Sequence, residues 1–468
     1  MQKIVLYNPQ AVFYTMPLGL LALASALDPA RYQVQIIDGR LERDPVAAVL
    51  KATEGALCLG VTVLTGAPIR DALKISRAVK AQRPDLPVVW GGWHPSLFPV
   101  DTLAEPSVDI SVQGQGEITF AEIVERLAAG ASVAGLPGSA SRSHGIPQLG
   151  PPRLMQAVNT LAPHRYDLIP VERYFGLKRQ RQFDYISSAG CHFRCAFCAD
   201  PFVYKRKWAG LDPARVGEEL EQHWRRYQFE EVSFQDETFF TYRDRVIAIA
   251  EEFLRRGLRF AWTATMRADQ GARLSEADMA LCVRSGLRRV MIGVESGSQE
   301  MMDWLAKDIK IEQVLESAAK CVRHGVGVIF PFIVGFPGES DASVTATLEM
   351  IKRLRAMSPL FETPIFYFKP YPGSRITDEV VRQGYALPQT LEAWADFDFI
   401  GSSGPWVTPE RERLIERFKF YNRFAGGSQS LLRWPLQQIA RWRCANDFYA
   451  LPVEKLVVER LRPLPKLS

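Results

Sequence analysis

The stretch Asp184-Tyr-Ile-Ser-Ser-Ala-Gly190-Cys191-His-Phe-Arg-Cys195-Ala-Phe-Cys198 decides how the chain is read. A strand-like run ends at a glycine, and three thiols follow within eight residues at a four-then-three spacing. A loop of that length wraps three thiolates around three corners of a cubane cluster, and iron–sulfur clusters are held by cysteine thiolates, usually four. Here the fourth iron has no protein ligand and stands open to a small molecule. A structural zinc site wants a fourth ligand nearby, and His192, inside the loop, is awkwardly placed to serve. The bland alternative is that the cysteines pack as small hydrophobes. The other four are scattered over the chain, so a chance cluster of three is the weaker account.

Composition bounds what such a loop belongs to. At 468 residues the chain holds two or three domains with real cores. It is 47% hydrophobic and 23% charged, and a net charge of +5 does not suggest a dedicated nucleic-acid binder. The N-terminus lacks the apolar core of a signal peptide and runs straight into a strand. No uninterrupted apolar run is long enough to span a bilayer. Seven cysteines, three of them packed as ligands, fit a reducing cytoplasm rather than a disulfide scaffold.

Upstream of the cysteine loop, short β-branched runs at 3–9, 33–38, 56–63, 87–92 and 108–114 alternate with amphipathic stretches at 18–27, 69–82 and 119–128. This repetition predicts an α/β, doubly wound, Rossmann-like first domain over 1–134. Such sheets bind ligands beyond the carboxyl ends of their strands. Those ends carry Asn8-Pro9, Thr62-Val-Leu-Thr65-Gly66, Gly91-Gly92-Trp93-His94 and Gly114-Gln-Gly116-Glu117. No Gly-x-Gly-x-x-Gly follows the first strand, which disfavours a dinucleotide. A Gly/Pro/Ser-rich passage from Gly135 reads as a boundary, and 135–180 as a linker.

From Asp184 a second series offers six strands, at 185–189, 231–234, 260–266, 289–294, 326–334 and 364–368, with helical apolar spacing between them. Six parallel strands with outer helices predict a partial (β/α)6 barrel over 181–385, with its chemistry at the C-terminal rim. At that rim fall Gln235-Asp236-Glu237, Arg267, Glu295-Ser296, Gly335 within Phe332-Ile-Val-Gly-Phe-Pro-Gly-Glu339, and Lys369-Pro-Tyr-Pro-Gly-Ser374. The remainder, 386–468, is expected to be mostly helical, a capping or lid domain. Residues 411–468 hold twelve Lys/Arg against five Asp/Glu, mixed with apolar residues at helical spacing. A basic solvated face is the plain reading; a lid over an anionic or lipid-like substrate, or peripheral membrane contact, is the sharper one.

The cysteine loop resembles that of the radical S-adenosylmethionine (SAM) enzymes, Cys-x3-Cys-x2-Cys with an aromatic before the last cysteine, here Phe197. The resemblance implies a 4Fe–4S cluster on Cys191, Cys195 and Cys198, SAM chelated at its open iron, and cleavage of SAM to a 5′-deoxyadenosyl radical. It also implies SAM contacts from Phe197, from Gln235, Asp236 and Glu237 at the amino group, from Glu295 and Ser296 at the ribose or carboxylate region, and from Gly335 beside adenine. The planar fork of Arg267 suits the SAM carboxylate, with a rim salt bridge as the alternative.

The strand ends of the first domain resemble the cobalamin-binding domain found upstream of many radical SAM domains. The matching features are Asn8-Pro9 with Pro17-Leu18-Gly-Leu20, the Gly-Gly-x-His-Pro run and Gly-x-Gly-Glu. Cobalamin contacts are expected from Asn8, Pro17, Leu18, Thr62, Thr65, Gly91, Gly92, Trp93, His94, Gly114, Gly116 and Glu117. The Asp-x-His-x-x-Gly loop of corrinoid methyltransferases is absent, so no histidine is expected beneath the cobalt, and His94 reads as a loop residue. The resembled branch includes the anaerobic magnesium-protoporphyrin monomethyl ester cyclase and class B radical SAM methyltransferases. It implies methylation of an unactivated carbon, with oxidative cyclisation or ring rearrangement as the alternative. It also implies a small-molecule substrate, apolar or anionic, and a reductant such as flavodoxin or ferredoxin. A cobalamin or iron–sulfur sensor needs no SAM pocket, and the strand-end motifs argue against one.

Overall fold

The alternating runs of the first series form a sheet in a computed structural model that describes residues 1–143, 145–397, 404–425 and 434–461. Strands β1 (Gln2–Asn8), β2 (Tyr32–Asp38), β3 (Ala56–Thr62), β4 (Val88–Gly91) and β5 (Ile110–Val112) lie parallel in the order β2-β1-β3-β4-β5. Their side chains face helices on both sides, so the strands read as nearly continuous apolar runs. One face buries Ile4, Leu6, Cys58, Val89 and Ile110 against Leu20 and Ala24 of the helix Leu18–Ser25 and Phe120 and Ile123 of Glu117–Ala128. The order reverses at β1/β3, and the strand ends flanking that reversal are where doubly wound sheets bind ligands.

The Gly/Ser/Pro-rich passage expected as a boundary is sheet instead. β6 (Ser139–Ser143) pairs antiparallel with β5, and β7 (Ile146–Leu149) with β6. Small serines tolerate the close pairing, and Arg142 ties it down by donating to the carbonyls of Val108 and Glu105.

The chain packs as two compact units, residues 1–193, 198–237 and 372–398 in one and 194–197, 238–371 and 399–468 in the other. In the first, β8 (Gln182–Tyr185) pairs parallel with β11 (Glu231–Phe234). The expected strand 185–189 is divided. β8 stops at Tyr185, and β9 (Ser188–Gly190) turns to pair antiparallel with β10 (Trp208–Gly210). Gly190 has φ +83°, and a Cβ there would strike the Lys207 carbonyl, so only glycine releases the cysteine loop at this point. Residues 386–397, expected in the C-terminal domain, belong to this unit. Their helix Leu391–Ala395 packs on Pro68–Gln82, with Arg77 paired to Glu392 at 2.5 Å.

In the second unit β12 (Ala261–Met266), β13 (Leu287–Ile292), β14 (Gly327–Ile329) and β16 (Phe361–Glu362) run parallel in that order, and β15 (Phe332–Val334) pairs with β17 (Ile365–Tyr367). The expected strand 326–334 is thus broken at Pro331. Proline has no N–H to continue a ladder, and its carbonyl instead accepts from Val294 and Glu295 at 3.2 and 3.1 Å. Helices Pro409–Ala425, Trp434–Ala445 and Val453–Leu461 close the chain. Arg433, part of the basic run noted in the sequence, lies outside the described residues. No described helix is long and apolar enough to cross a membrane.

Candidate cofactor site

The strand-end glycines of the first sheet open a cleft of about 180 Å³. Its walls are Gly60, Val61 and Thr62 of β3, Gly91 and Gly92 after β4, Gly114–Glu117, and Gly19, Leu20 and Leu23 of the first helix. Glycine floors let a ligand approach the backbone. Gly92 and Gly114 have φ of +97° and +62°, which other residues adopt only with strain. Thr62, Gly91, Gly92, Gly114, Gly116 and Glu117 are therefore brought together. Burial raises the Glu117 carboxyl above its ordinary pKa. Asn8, Pro17, Leu18 and Thr62 line a neighbouring cleft of about 160 Å³ with Arg40. Arg40 is held by Asp38, which also accepts from Asn8 at 3.0 Å and Tyr174 at 2.7 Å.

Thr65 and His94 sit elsewhere. The His94 ring is wholly buried, its Nδ1 lies 3.3 Å from the Thr65 hydroxyl, and Phe98 and Trp394 enclose it. Burial lowers its pKa to about 4, so it is a neutral ring, and its Nε2 has no partner among the described residues. It does not line either cleft. Trp93 packs edge-on to Tyr204, ring centroids 6.0 Å apart, and Tyr204 closes the first cleft.

Gln235, Asp236 and Glu237 follow β11, and the three adjacent polar residues have different surroundings. Asp236 accepts from the Ser187 amide at 3.0 Å, the Ser187 hydroxyl at 2.8 Å and the Ser188 hydroxyl. It fastens the turn from β8 into β9, directly before the cysteines. Gln235 donates to Asp184 at 3.1 Å; the other Asp184 oxygen accepts from the Met16 amide at 2.8 Å and from Lys178. Glu237 accepts from Tyr204 at 2.9 Å through Oε1, whereas its buried Oε2 has no partner among the described residues. Burial, with Asp200 nearby, lifts this carboxyl to about 7. An unpartnered buried carboxylate oxygen costs free energy, and a protonated amine is the ligand that removes the cost.

The cysteine loop itself carries Cys191, Cys195 and Cys198, all half-buried free thiols. No three His, Cys, Asp or Glu side chains among the described residues converge on a single metal ion. In the second unit Arg267 reaches Cys195 Sγ at 3.8 Å, donates to the Lys307 carbonyl at 2.6 Å and pairs with Asp269 at 3.0 Å. Its fork is thus turned to the thiol and the loop beside it. Arg194 clasps Asp308 through two 2.8 Å bonds, and Ala196 donates to the Leu305 carbonyl at 2.8 Å.

Glu295 takes a left-handed backbone, φ +65°, uncommon for a residue with a side chain and typical of strained functional positions. Its Oε1 meets Lys307 Nζ at 2.7 Å, both side chains 8% exposed. Burial works against the lysine's charge, yet Glu295 and the Cys195 thiol outweigh it and raise its pKa. Gly293 makes room: a Cβ there would lie 2.5 Å from Glu295 Oε1 and 3.1 Å from Lys307 Nζ. Lys307 also stands over the Phe197 ring at 5.6 Å. The Ser296 hydroxyl is engaged by Thr347 at 3.1 Å and the Ser298 amide, so it braces the loop. Gly335, φ +76°, donates to Glu339 at 2.6 Å and accepts from the Trp406 indole. Burial raises Glu339 to about 7, and its Oε1 has no partner among the described residues.

Sequence reasoning missed Lys307, Tyr204, Asp184 and Glu339. Only the Phe-Pro-Gly-Glu339 turn carried a signal for the last; the others acquire partners through the fold alone.

A loop of three free cysteines, strand-end carboxylates and a glycine-floored cleft suit a cluster enzyme with two further ligand sites. Comparison places it. Residues 185–351 match the radical SAM superfamily, and residues 6–124 the B12 binding domain. The uncharacterised methyltransferase PH0819 of Pyrococcus horikoshii is 29% identical over 87% of this chain and 88% of its own. The anaerobic magnesium-protoporphyrin IX monomethyl ester cyclase of Rubrivivax gelatinosus is 26% identical over 78% of this chain and 65% of its own. In fold, the chain is similar to the radical SAM methyltransferase TsrM of Kitasatospora setae, solved with cobalamin and a [4Fe–4S] cluster. That likeness has a TM-score of 0.72 over 95% of this chain and 89% of the other, at 16% identity. The chain belongs to the cobalamin-binding branch of the radical SAM superfamily, and its cofactors are a 4Fe–4S cluster, SAM and cobalamin.

Proposed function

We propose that the enzyme moves a methyl group from SAM to an unactivated carbon of a small, apolar or anionic molecule. The observation that carries the reading is the joining of a B12 binding domain to a radical SAM domain in one chain, similar over most of its length to a relative named as a methyltransferase. In this reading residues 1–134 carry cobalamin, the segment matched to the radical SAM superfamily, 185–351, carries the cluster and SAM, and the C-terminal helices from Pro409 cover the substrate. When bound, these groups supply radical formation from SAM and a methyl carried on cobalt; the protein orients them and keeps water out.

The chain's own residues do the rest. Cys191, Cys195 and Cys198 hold three irons. Glu237 Oε2 accepts from the amino group of SAM, and Tyr204 keeps that carboxylate aimed. Glu295, braced by Lys307, meets the ribose or carboxylate region. Arg267 sits at Cys195 and places positive charge beside the thiolate. The glycine-floored cleft takes part of cobalamin along the strand ends. Forming a radical from SAM consumes one electron, and a carrier such as flavodoxin or ferredoxin supplies it in this reading.

Incubating the reconstituted enzyme with SAM labelled at the methyl group, a reductant and candidate substrates tests the proposal. Label in the product, together with 5′-deoxyadenosine, is the expected result. A product formed in good yield without label refutes methyl transfer and favours cyclisation, the reaction named for the Rubrivivax relative.

A further inference from the structure

The C-terminal helices present an apolar surface in an unusual orientation. Eight of the twenty-four exposed large apolar side chains among the described residues fall within residues 434–457. Singly scattered exposed apolar residues mean little, but a concentrated patch marks an interaction site. Trp434 and Trp442 lie two turns apart on one helix, 53% and 55% exposed. Phe448 packs against Trp442, centroids 5.7 Å apart, and is itself exposed.

The last helix, Val453–Leu461, is turned the wrong way for a core helix. Val453, Leu456 and Val457 form its apolar stripe at i, i+3 and i+4, and all three are at least 49% exposed. A surface helix of a globular protein normally turns such a stripe inward. Here Glu454 faces inward instead, accepting from Arg443 at 2.9 Å and from Tyr421 at 2.9 Å. Arg443 is nearly buried and also donates to the carbonyls of Phe448, Ala450 and Leu451 at 2.8–3.0 Å. This hub fixes the loop and the helix with their apolar groups outward. The patch is built into the fold.

Its charge is one-sided. Each acid from 434 to 460 is already paired: Asp447 with Lys352, Glu454 with Arg443 and Glu459 with Lys455. Arg441 and Arg460 are exposed and pair with no carboxylate among the described residues. Arg433, Arg462 and Lys466 flank them in the sequence. Aromatic and aliphatic groups beside unpaired cations are what an interfacial helix offers to anionic lipid, and tryptophan favours the headgroup level.

We propose that this face docks the enzyme reversibly on an anionic lipid surface, with Trp442, Leu456 and Val457 entering the headgroup boundary and Arg441 and Arg460 lying against lipid phosphates. The inference stands apart from the methyl-transfer reading, since it uses no cofactor residue.

The test is co-sedimentation of the full, cluster-loaded chain with vesicles of phosphatidylcholine alone and of phosphatidylcholine with phosphatidylglycerol. Binding is expected on the anionic vesicles and should weaken at high salt. Trp442→Ser with Leu456→Ser should lower partitioning by about tenfold per side chain. Arg441→Ser with Arg460→Ser should lower it roughly fivefold per charge, and only on anionic vesicles. All four sites are exposed, so unchanged thermal unfolding will confirm intact folding. Absent binding to anionic vesicles overturns the proposal, as does equal binding to both lipids. So does a concentration-dependent dimer in ultracentrifugation that Trp442→Ser abolishes without altering sedimentation with vesicles, which would make the patch an interface between two copies.

Discussion

The Glu295–Lys307 pair allows structure to be separated from ligand binding by one cycle of variants. The two charges lie 2.7 Å apart with side chains only 8% exposed, so water screens little of their attraction. Removing one partner of a buried pair strands the other charge and costs about 3–5 kcal/mol. Lys307→Met should therefore destabilise the cluster-free chain by about that amount in equilibrium urea unfolding. Replacing both charges, Lys307→Met with Glu295→Gln, leaves no stranded ion and should recover stability to within about 1 kcal/mol of the parent. If Glu295 also meets SAM, the double variant regains its stability but not its ligand. Losing a hydrogen bond to a charged group corresponds to about 1.5–3 kcal/mol, roughly ten- to hundredfold in SAM affinity. Equilibrium binding of SAM to the reconstituted protein reads that loss directly. A Lys307→Met chain that loses less than about 1 kcal/mol would refute the buried-pair reasoning. A double variant binding SAM like the parent would leave the pair a brace only.

Three further outcomes follow from the geometry. Replacing Cys191, Cys195 and Cys198 together by alanine should abolish iron and sulfide uptake, whereas Cys58, Cys282 and Cys321 should be dispensable for it, because they are wholly buried with thiols pushed up to about 12. Electron paramagnetic resonance of bound cob(II)alamin should show no axial histidine nitrogen, because the buried His94 ring packs on Phe98 and Trp394 and lines neither strand-end cleft; nitrogen superhyperfine splitting would contradict that placement. Stability should fall with acid: the folded His94 pKa of about 4 lies below the ordinary 6.5, so the unfolded chain takes the proton first. The contribution is complete above 6.5 and is lost as pH falls toward 4, about 2 kcal/mol near pH 5, with burial shifting His164 and His223 the same way. Thermal unfolding against pH, with His94→Gln flattening part of the slope, measures it.

Period and punctuation carried most of the fold. The strand 231–234 and the helix 213–227 fall where β-branched alternation and a 3.6-residue apolar spacing put them. The errors have local causes. The hairpin 139–149 is composed of serine, glycine and proline, which read as a boundary because its stability comes from β5 and from Arg142 rather than from its own composition. Pro331 breaks a run whose apolar pattern is continuous across it. At the site, the position of polar residues at strand ends was legible, because ligands collect where parallel strands stop. Their division of labour was not. Lys307 lies twelve residues beyond Glu295, after a short helix, and only the turn at its end brings the ammonium back to the carboxylate.

That division follows from which polar atoms the fold satisfies. Buried polar groups in native proteins nearly always have partners, and at these strand ends many do. Asp236 is consumed by two serines, the Ser296 hydroxyl by Thr347 and the Ser298 amide, and Arg267 by Asp269, the Lys307 carbonyl and the Cys195 thiol. These residues hold loops in place, and substituting them loosens the site by moving its neighbours. Glu237 and Glu339 differ, because each spends one oxygen on the protein and buries the other without a partner among the described residues. Each carboxyl is raised to about 7, because burial outweighs the hydrogen bonds the protein gives it. A fold retains such a cost where a ligand removes it on binding. In the proposed function Glu237 meets a cationic amine, the amino group of SAM, and Glu339, beside the left-handed Gly335, offers a second acceptor. Of the adjacent acids Asp236 and Glu237, only Glu237 keeps a buried oxygen unpartnered among the described residues, which is why the proposed function gives it the amine.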